Sequence, residues 1–139
     1  MRKSIELKIW RRVVDANYNR AKEALRVCED VCRFVLNDAG ATKNFKDVRH
    51  LLTQALTVLV IKDLVAARDI KGDVGKQTTR HELVRSGAAS IFYANTQRAK
   101  ESIRVLEEFM KIFSPIKSRK LKDLRYRLYA LEKKIASRI

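Results

Sequence analysis

Apolar residues recur along the chain at alternating spacings of three and four positions, in four long segments. This spacing places them on one face of an α-helix, which is the pattern of helices that pack in a bundle. The pattern therefore predicts an all-α protein with a four-helix core. The four apolar stripes are Ala21, Leu25, Cys28, Cys32 and Val35; Phe45, Val48, Leu52, Ala55 and Leu59; Ala99, Ile103, Leu106, Met110 and Phe113; and Leu121, Leu124, Leu128, Leu131 and Ile135.

Polar residues at the ends of the stripes predict where helices begin and stop. Asp15 and Thr42 are predicted as N-caps of the first two helices, because their side-chain oxygens can accept hydrogen bonds from the free N–H groups of a first turn. Pro115 stops the third helix. The β-branched segment 57–69 is interpreted as a continuation of the second helix, since it also contains Leu and Ala and no partner strand is present. Segment 1–14 fits either a short strand or a helical turn.

One segment breaks the helical pattern. Residues 68–79 read RDIKGDVGKQTT and contain two of the four glycines, Gly72 and Gly75, on either side of Asp73. Glycines at this spacing predict a loop with a permissive backbone. Thr79 is predicted to cap a short helix after this loop, before a third long helix at 88–113.

The first and third stripes belong to a duplicated segment. Residues 15–29 and 93–107, DANYNRAKEALRVCE and YANTQRAKESIRVLE, are identical at nine positions at a constant offset of 78. A second, shorter repeat follows at an offset of 76: KDVRHLL comes after the first copy and KDLRYRL after the second. We therefore expect two quasi-symmetric helical hairpins in a single domain, with a polar Gly/Asp loop and a short helix between the halves. The parts are a basic lead-in at 1–14, the first hairpin at 15–66, the loop and short helix at 67–87, and the second hairpin at 88–139.

The charge and the cysteine content limit the kinds of ligand and partner that the protein is expected to bind. The net charge of +15 predicts an anionic partner: nucleic acid, an anionic membrane surface or a small polyanionic ligand. Cys28 and Cys32 lie in an apolar stripe and are predicted to be buried thiols of a reduced compartment. With only His50 and His81 to join them, the sequence argues against a zinc site. No segment resembles a signal peptide or a membrane span, so we expect a cytoplasmic protein with no membrane partner.

On each repeated helix, the polar residues that are identical in the two copies recur every three positions. Neighbours three apart touch on a helix, so these charges can form a ladder of weak surface ion pairs. The alternative is a row of preoriented arginines that binds anions. A further equivalent pair, Arg49 and Arg125, would add cations from the partner helices. The identities are Asn17, Arg20, Glu23, Arg26 and Glu29 in the first copy and Asn95, Arg98, Glu101, Arg104 and Glu107 in the second.

The glycine-containing loop is a second candidate site. Backbone N–H groups beside Gly72 and Gly75 suit a phosphate, while Asp69 and Asp73 offer carboxylate oxygens to Mg²⁺. No GxxxxGK[ST] motif is present. An ordinary connection between the hairpins therefore stays open as the alternative.

Five motifs, in order, resemble one family. DANYNRAKEALRVCEDVCRF, KDVRHLL, RDIKGDVG, ANTQRAKESIRVLEEF and KDLRYRLYALEK together are similar to the small hydroxymethylpyrimidine phosphate kinases of thiamine biosynthesis, which occur alone or fused to thiamine phosphate synthase. The resemblance covers nearly all of the chain after Val14, and we expect the standalone form. It implies transfer of the ATP γ-phosphoryl group, with Mg²⁺, to 4-amino-5-hydroxymethyl-2-methylpyrimidine phosphate, with thiamine phosphate synthase as a candidate partner.

The composition suits this reaction. A phosphate monoester has its second pKa near about 6, so the acceptor is largely a dianion at neutral pH and needs no general base. The enzyme must instead position two polyanions and offset their repulsion with cations. We therefore expect activity on the monophosphate and little on the free alcohol.

The resemblance and the residue pattern together give an expected role to each candidate residue. Arg20, Arg26, Arg98 and Arg104 clamp phosphates and form the catalytic set with Asp73; Asn17, Asn95, Glu23, Glu101, Arg49 and Arg125 bind substrate; Glu23, Glu29, Glu101 and Glu107 orient the arginines, or one of them holds Mg²⁺; Arg68, Gly72 and Gly75 bind ATP; and Asp69 and Asp73 hold Mg²⁺.

The competing interpretation is a basic helical nucleic-acid-binding protein with a steep salt dependence. Acidic residues interleaved with the basic ones argue against it, as does the scarcity of aromatic stacking platforms, with one Trp, four Tyr and five Phe. A third interpretation, a bundle with a purely structural role, would not explain why the chain contains the Gly72/Gly75 loop. The leucine stripe of the last helix leaves room for a homodimer.

Overall fold

The computed structural model describes all residues from 1 to 139 and contains helices but no strand. The prediction of an all-α protein is confirmed. A π-helical turn, Val31–Val35, follows the first helix, and a 3₁₀ turn, Arg80–Leu83, lies between the third and the fourth. The α-helices are α1 (Arg2–Asp30), α2 (Ala39–Ala55), α3 (Ile61–Ala66), α4 (Ala88–Phe113) and α5 (Pro115–Ala136).

The four long helices surround one core in the cyclic order α1, α2, α5, α4, and each packs on its two neighbours in this order. The Cys28 Sγ lies 3.9 Å from the Phe92 carbonyl oxygen near one end of the α1–α4 contact. The rings of Trp10 and Phe109 are 5.6 Å apart near the other end. α1 and α4 are therefore antiparallel, and each forms a hairpin with the long helix that follows it.

The apolar stripes form this core. All but three of their members are buried: Leu59 and Phe113 are half-buried against the core, and Val35 is exposed. Val35 leaves the stripe because the π-helical turn is wider than an α-helical turn and shifts the phase of the side chains. Each fully buried Leu or Phe contributes about 1.5 to 3 kcal/mol of transfer free energy.

Three predicted helix boundaries are wrong. α1 begins at Arg2, so Asp15 is a mid-helix residue with 4% exposure and caps nothing. Asp38, and not Thr42, caps α2: its Oδ1 accepts a hydrogen bond from the Ala41 N–H at 2.9 Å. α2 ends at Ala55, and the chain passes through a turn before α3. Capping preference is local and weak, and at Asp15 the packing of the preceding residues overrides it.

Other boundaries are confirmed. α4 begins and ends at the predicted residues, 88 and 113, and Pro115 opens α5 at its first position. Thr79 and Glu82 form the capping box of the 3₁₀ turn. Residues 68–79 contain no helix or strand, as predicted for the loop.

Cys28 and Cys32 are free thiols with fully buried side chains. Burial raises the pKa of both thiols, that of Cys32 to about 11. At neutral pH both are protonated and serve as core residues, as the stripe predicted. None of the helices combines the length and apolar composition that crossing a bilayer requires.

Candidate functional site

Two adjoining clefts lie where α1 meets the polar loop. Cleft A, of about 460 Å³, lies between α1 and the start of the loop, and cleft B, of about 470 Å³, lies between α1, α4 and the loop. Asn17, Arg20 and Lys76 line both, so the clefts share a wall. Cleft A is lined by Ile9, Arg12, Val13, Asp15, Ala16, Asn17, Arg20, Arg68, Asp69, Ile70, Asp73 and Lys76, and cleft B by Asn17, Arg20, Gly75, Lys76, Gln77, Glu82, Arg98, Glu101, Ser102 and Val105.

Three cations line cleft B without a carboxylate partner. Arg20, Lys76 and Arg98 form no ion pair within 4.0 Å, unlike Arg26 and Arg104 of the same repeats and Arg49 and Arg125 of the partner helices. The two carboxylates at the cleft are engaged elsewhere: Glu101 accepts from the Gln97 amide at 2.9 Å, and Glu82 accepts from a backbone N–H of the capping box. Because the cations are not neutralised within the chain, the cleft favours an anionic ligand.

The duplication explains why Arg20 and Arg98 meet at this cleft. Ala21 and Ala99 are fully buried near the middle of the α1–α4 contact, where their small side chains allow a close approach. Arg20 and Arg98 each precede one of these alanines. Since the helices are antiparallel, both arginines reach the same cleft, one from each repeat.

The second arginines of the two rows point away from the clefts. Steps of three residues fall short of a helical turn, so over six residues the row rotates by about 120°. Arg26 lies 3.7 Å from Glu29 and from Asp30, and Arg104 lies 2.9 Å from Glu108. Neither arginine lines cleft A or B.

Arg49 and Arg125 make buried ion pairs inside the two hairpins. The Arg49 Nε donates to the Glu29 Oε2 at 2.9 Å, and the Arg125 Nε donates to the Glu107 Oε2 at 2.5 Å. Both glutamates are at most 4% exposed. The hydrogen bond to Glu107 raises the pKa of Arg125 above its usual value. These pairs join α1 to α2 and α4 to α5, and they lie outside both clefts.

The asparagines of the repeats make the same helical contact. The Asn17 Nδ2 donates to the Val13 carbonyl at 3.0 Å, and the Asn95 Nδ2 donates to the Ile91 carbonyl at 2.8 Å. Asn17 lines both clefts, whereas Asn95 and the exposed Glu23 line neither. The loop lies on one side of the quasi-symmetric pair and so selects one asparagine.

The start of the loop is fixed to α1 by two contacts. Buried Asp15 receives two hydrogen bonds from the Arg68 guanidinium, at 2.5 and 3.0 Å. The Arg12 Nη2 donates to the Asp69 carbonyl oxygen at 3.1 Å. The hydrogen bond to Asp15 raises the pKa of Arg68. Residues Arg12 and Asp15, which sequence reasoning gave no site role, therefore position the loop.

Two carboxylates of the loop fold back on its glycines. The Asp69 Oδ1 accepts from the Gly72 N–H at 2.8 Å, and the Asp73 Oδ1 accepts from the Gly75 N–H at 3.0 Å. A Cβ at position 72 would overlap the Asp69 carboxylate, so the Asp69 side chain could keep this position only beside glycine. Asp69 and Asp73 line cleft A, while Gly72 lines neither cleft.

The loop carboxylates suit Mg²⁺ held jointly with a substrate. No group of three or more His, Cys, Asp or Glu side chains is close enough to bind a metal ion without one. Asp69 and Asp73 each use one oxygen for a backbone N–H and keep the other available. Mg²⁺ commonly takes one or two carboxylates and completes its shell with water and substrate phosphates. The two carboxylates fit that mode.

Lys76 is the site residue that sequence reasoning missed. It follows Gly75 directly, which is the one signal that the sequence contains for it. It makes no hydrogen bond or ion pair within the chain and lines both clefts.

A third groove lies between α2 and α5, on the side of the bundle away from the α1–α4 contact. Its volume is also about 460 Å³, and its lining combines Leu51, Ala55 and Leu124 with the cations Lys117, Lys120 and Arg127. None of the candidate residues lies there. We place the site at clefts A and B because Arg20 and Arg98, one from each repeat, and the polar loop line them.

Comparison with known proteins relates the chain to one protein family. The model of the ThiD2 family matches residues 12–134, which include every candidate residue and both anchors of the loop. Thiamine-phosphate synthases of Synechocystis sp., Nostoc punctiforme and Rhodopirellula baltica are 43%, 40% and 38% identical over 122, 122 and 120 residues.

These matches cover 87%, 87% and 86% of this chain but only 34%, 34% and 32% of the three synthases. The chain thus spans about a third of the length of these curated relatives. No solved structure matches the chain. Because the family model matches residues 12–134 of the 139 residues, the chain belongs to the ThiD2 family.

Proposed function

We propose that this chain transfers the γ-phosphoryl group of ATP to 4-amino-5-hydroxymethyl-2-methylpyrimidine phosphate and forms the corresponding diphosphate. Membership of the ThiD2 family and similarity to thiamine-phosphate synthases support a role in thiamine biosynthesis. The observation that carries the phosphoryl-transfer proposal is the convergence of Arg20, Lys76 and Arg98, without carboxylate partners, on one cleft.

The chemistry needs cations more than a base. An oxygen of the acceptor phosphate forms a bond to the γ-phosphorus while the bond from that phosphorus to the bridging oxygen of ATP breaks, and the electron pair leaves on ADP. The acceptor is already a dianion for the most part, since its pKa is about 6, so no group has to remove a proton. The barrier lies in bringing two polyanions together, and fixed cations lower it.

Neutral groups complete the site. The amides of Asn17 and Gln77 and the hydroxyl of Ser102 line cleft B, where they can donate or accept hydrogen bonds. Asn17 is almost buried, and its contact with the Val13 carbonyl fixes its amide, so it would orient a ligand with little loss of side-chain entropy. Ile9, Val13 and Ile70 give cleft A an apolar part suited to a heteroaromatic ring.

Mg²⁺ bound with ATP would offset charge on the transferring and leaving phosphates. Asp69 and Asp73 would hold it through the carboxylate oxygens that the loop backbone leaves available. Arg12 and the Asp15–Arg68 pair would keep that part of the loop against α1.

The test is a coupled assay of ADP release with Mg-ATP and the pyrimidine phosphate, with the diphosphate identified by mass spectrometry. We expect Arg98→Ala to lower kcat/KM by about 100-fold, as loss of one preorganised transition-state cation does. Arg119→Ala, which removes an exposed arginine of α5 remote from both clefts, is the matched control and should keep wild-type activity. Absence of diphosphate from the wild-type reaction would refute the proposal.

A further inference from the structure

The wall between clefts A and B is the place where ligands in the two clefts would meet. Of the residues that line these clefts, only Asn17, Arg20 and Lys76 belong to both. Asn17 is neutral and nearly buried, and Arg20 projects from α1. Lys76 is the one residue of the wall that the loop supplies.

The surroundings of Lys76 leave its ammonium group available to a ligand. It forms no hydrogen bond within the chain and no ion pair with the acids that line the clefts; Asp15 is held by Arg68, and Asp73 accepts from the Gly75 N–H with one of its oxygens. A lysine is a compact point charge with three donors on a flexible stem, which suits a phosphoryl group that moves between two oxygens.

The start of the loop sets the position of Lys76, whose side chain is exposed. Arg68 fastens that start to buried Asp15, and Arg12 donates to the Asp69 carbonyl oxygen. The turn that closes at the Gly75 N–H ends directly before Lys76. Lys76 therefore follows two local turns of a segment that is fastened to α1 at its beginning.

We propose that Lys76 is a catalytic residue that contacts the transferring phosphoryl group at the boundary of the two clefts, opposite Arg20. This inference rests on the proposed function, since it places donor and acceptor in the two clefts. As the γ-phosphorus leaves the bridging oxygen of ATP and bonds to the acceptor oxygen, negative charge on its three other oxygens persists throughout, and Lys76 and Arg20 offset it from two sides.

The experiment compares two lysines of the same loop. Lys76→Met removes the charge and keeps the length of the side chain, Lys76→Arg keeps a charge, and Lys71→Met is the matched control, since exposed Lys71 lines neither cleft. With both substrates saturating, we expect Lys76→Met to lower kcat by about 100-fold with a much smaller change in either KM. Lys76→Arg should recover part of the rate, and Lys71→Met should remain within about twofold of wild type.

A binding measurement separates failure of this inference from failure of the proposed function. Titration with inorganic tripolyphosphate in a calorimeter needs no turnover, and Lys76→Met should weaken this binding by about 10-fold or more relative to Lys71→Met. An active wild type with unchanged kcat in Lys76→Met would overturn the inference alone. If the wild type forms no diphosphate, the proposed function fails, and the same titration decides for or against Lys76 as an anion-binding residue. Equal losses in the two lysine variants would also overturn the inference, because they would indicate a general effect of loop charge.

Discussion

Arg49 and Arg125 occupy equivalent positions in the two hairpins and make the same contact. Each donates from its Nε to a glutamate that is almost fully buried and that belongs to the preceding long helix. Arg20 and Arg98 are equivalent as well, yet they have no acidic partner and reach a cleft. The duplicated arginines thus fall into three groups: one pair fastens each hairpin, a second pair, Arg26 and Arg104, contacts acids on its own helix, and the third pair lines a cleft without an acidic partner.

Substitution at Arg125 tests the fastening role. Arg125→Ala leaves Glu107 buried, at 2% exposure, without its partner, and we expect the free energy of unfolding to fall by about 3 kcal/mol. Arg98→Ala removes an exposed side chain with no ion pair, so it should change the free energy of unfolding by less than about 0.5 kcal/mol. Urea unfolding followed by circular dichroism measures both. Equal midpoints for the two variants would contradict the division.

At this scale the sequence predicted more of the core than of the site. A helical stripe identifies core residues because burial depends on spacing along one helix, and all but three of the predicted members are buried. The arginine rows have a spacing too, but their partners are on other helices. Glu29 and Arg49 are 20 positions apart and Asp15 and Arg68 are 53 apart, so no local pattern reveals which arginine is neutralised.

The loop between the hairpins is the element that gives the site its asymmetry. Two turns, each closed by an aspartate and a glycine N–H, shape the segment before Lys76. The loop lies over Asn17 and leaves Asn95, its equivalent in the second repeat, outside the clefts. Cleft A is therefore lined only by the first repeat helix and the loop, whereas cleft B also takes residues from the second.

Gly72→Ala tests the shape of this loop. The new Cβ would overlap the Asp69 carboxylate, so Asp69 must rotate and lose its hydrogen bond from the backbone of residue 72. Since the loop is exposed, unfolding free energy should change by less than about 1 kcal/mol. The displaced loop should lower kcat/KM for ATP by about 10-fold or more.

The control for this substitution is Gly40→Ala at the start of α2. Its Cβ would lie 3.5 Å from the Asp38 carboxylate, an ordinary contact, and the site is remote from both clefts. Alanine favours helix over glycine by up to about 1 kcal/mol, so this variant should be at least as stable as wild type and equally active. Steady-state kinetics with varied ATP compare the two. Wild-type kcat/KM in Gly72→Ala would show that the Asp69 turn has no part in binding.

Element boundaries were predictable where a strong local signal exists. Proline and glycine marked both ends of α4, and the glycines marked the loop. The beginning of α1 was not predictable, because residues 1–14 are only weakly periodic. Long-range contacts decide it: Val14 is fully buried, Trp10 packs on Phe109, and Arg11 lies 3.3 Å from Asp63 of α3. A capping preference at Asp15 is too small to interrupt a helix held in this way.

The whole molecule is a quasi-symmetric bundle with an uneven distribution of charge. The net charge of +15 is spread over all helices, and many of the cations are paired with acids on the same or a neighbouring helix. Other cations are unpaired as well, and three of the unpaired ones, Arg20, Lys76 and Arg98, line one cleft. Three unpaired cations in a concave site favour a compact polyanion at that place.

The family was predictable from the sequence. The order of five motifs indicated thiamine biosynthesis, and the match to the ThiD2 family over residues 12–134 agrees with it. The reaction itself stays a proposal, since the curated relatives are about three times the length of the matched segment. Which arginines lie at a cleft follows only from the packing of helices that are far apart in sequence.

The most direct test of the account compares two acceptors with the wild-type chain, Mg-ATP and neutral pH. The acceptors are hydroxymethylpyrimidine phosphate and the free alcohol, and the products are separated and quantified by mass spectrometry. A site that supplies cations and no general base should phosphorylate the monophosphate with a kcat/KM at least about 100-fold above that for the alcohol, since the alcohol requires removal of a proton. Comparable values for the two acceptors, or no diphosphate from the monophosphate, would contradict the account.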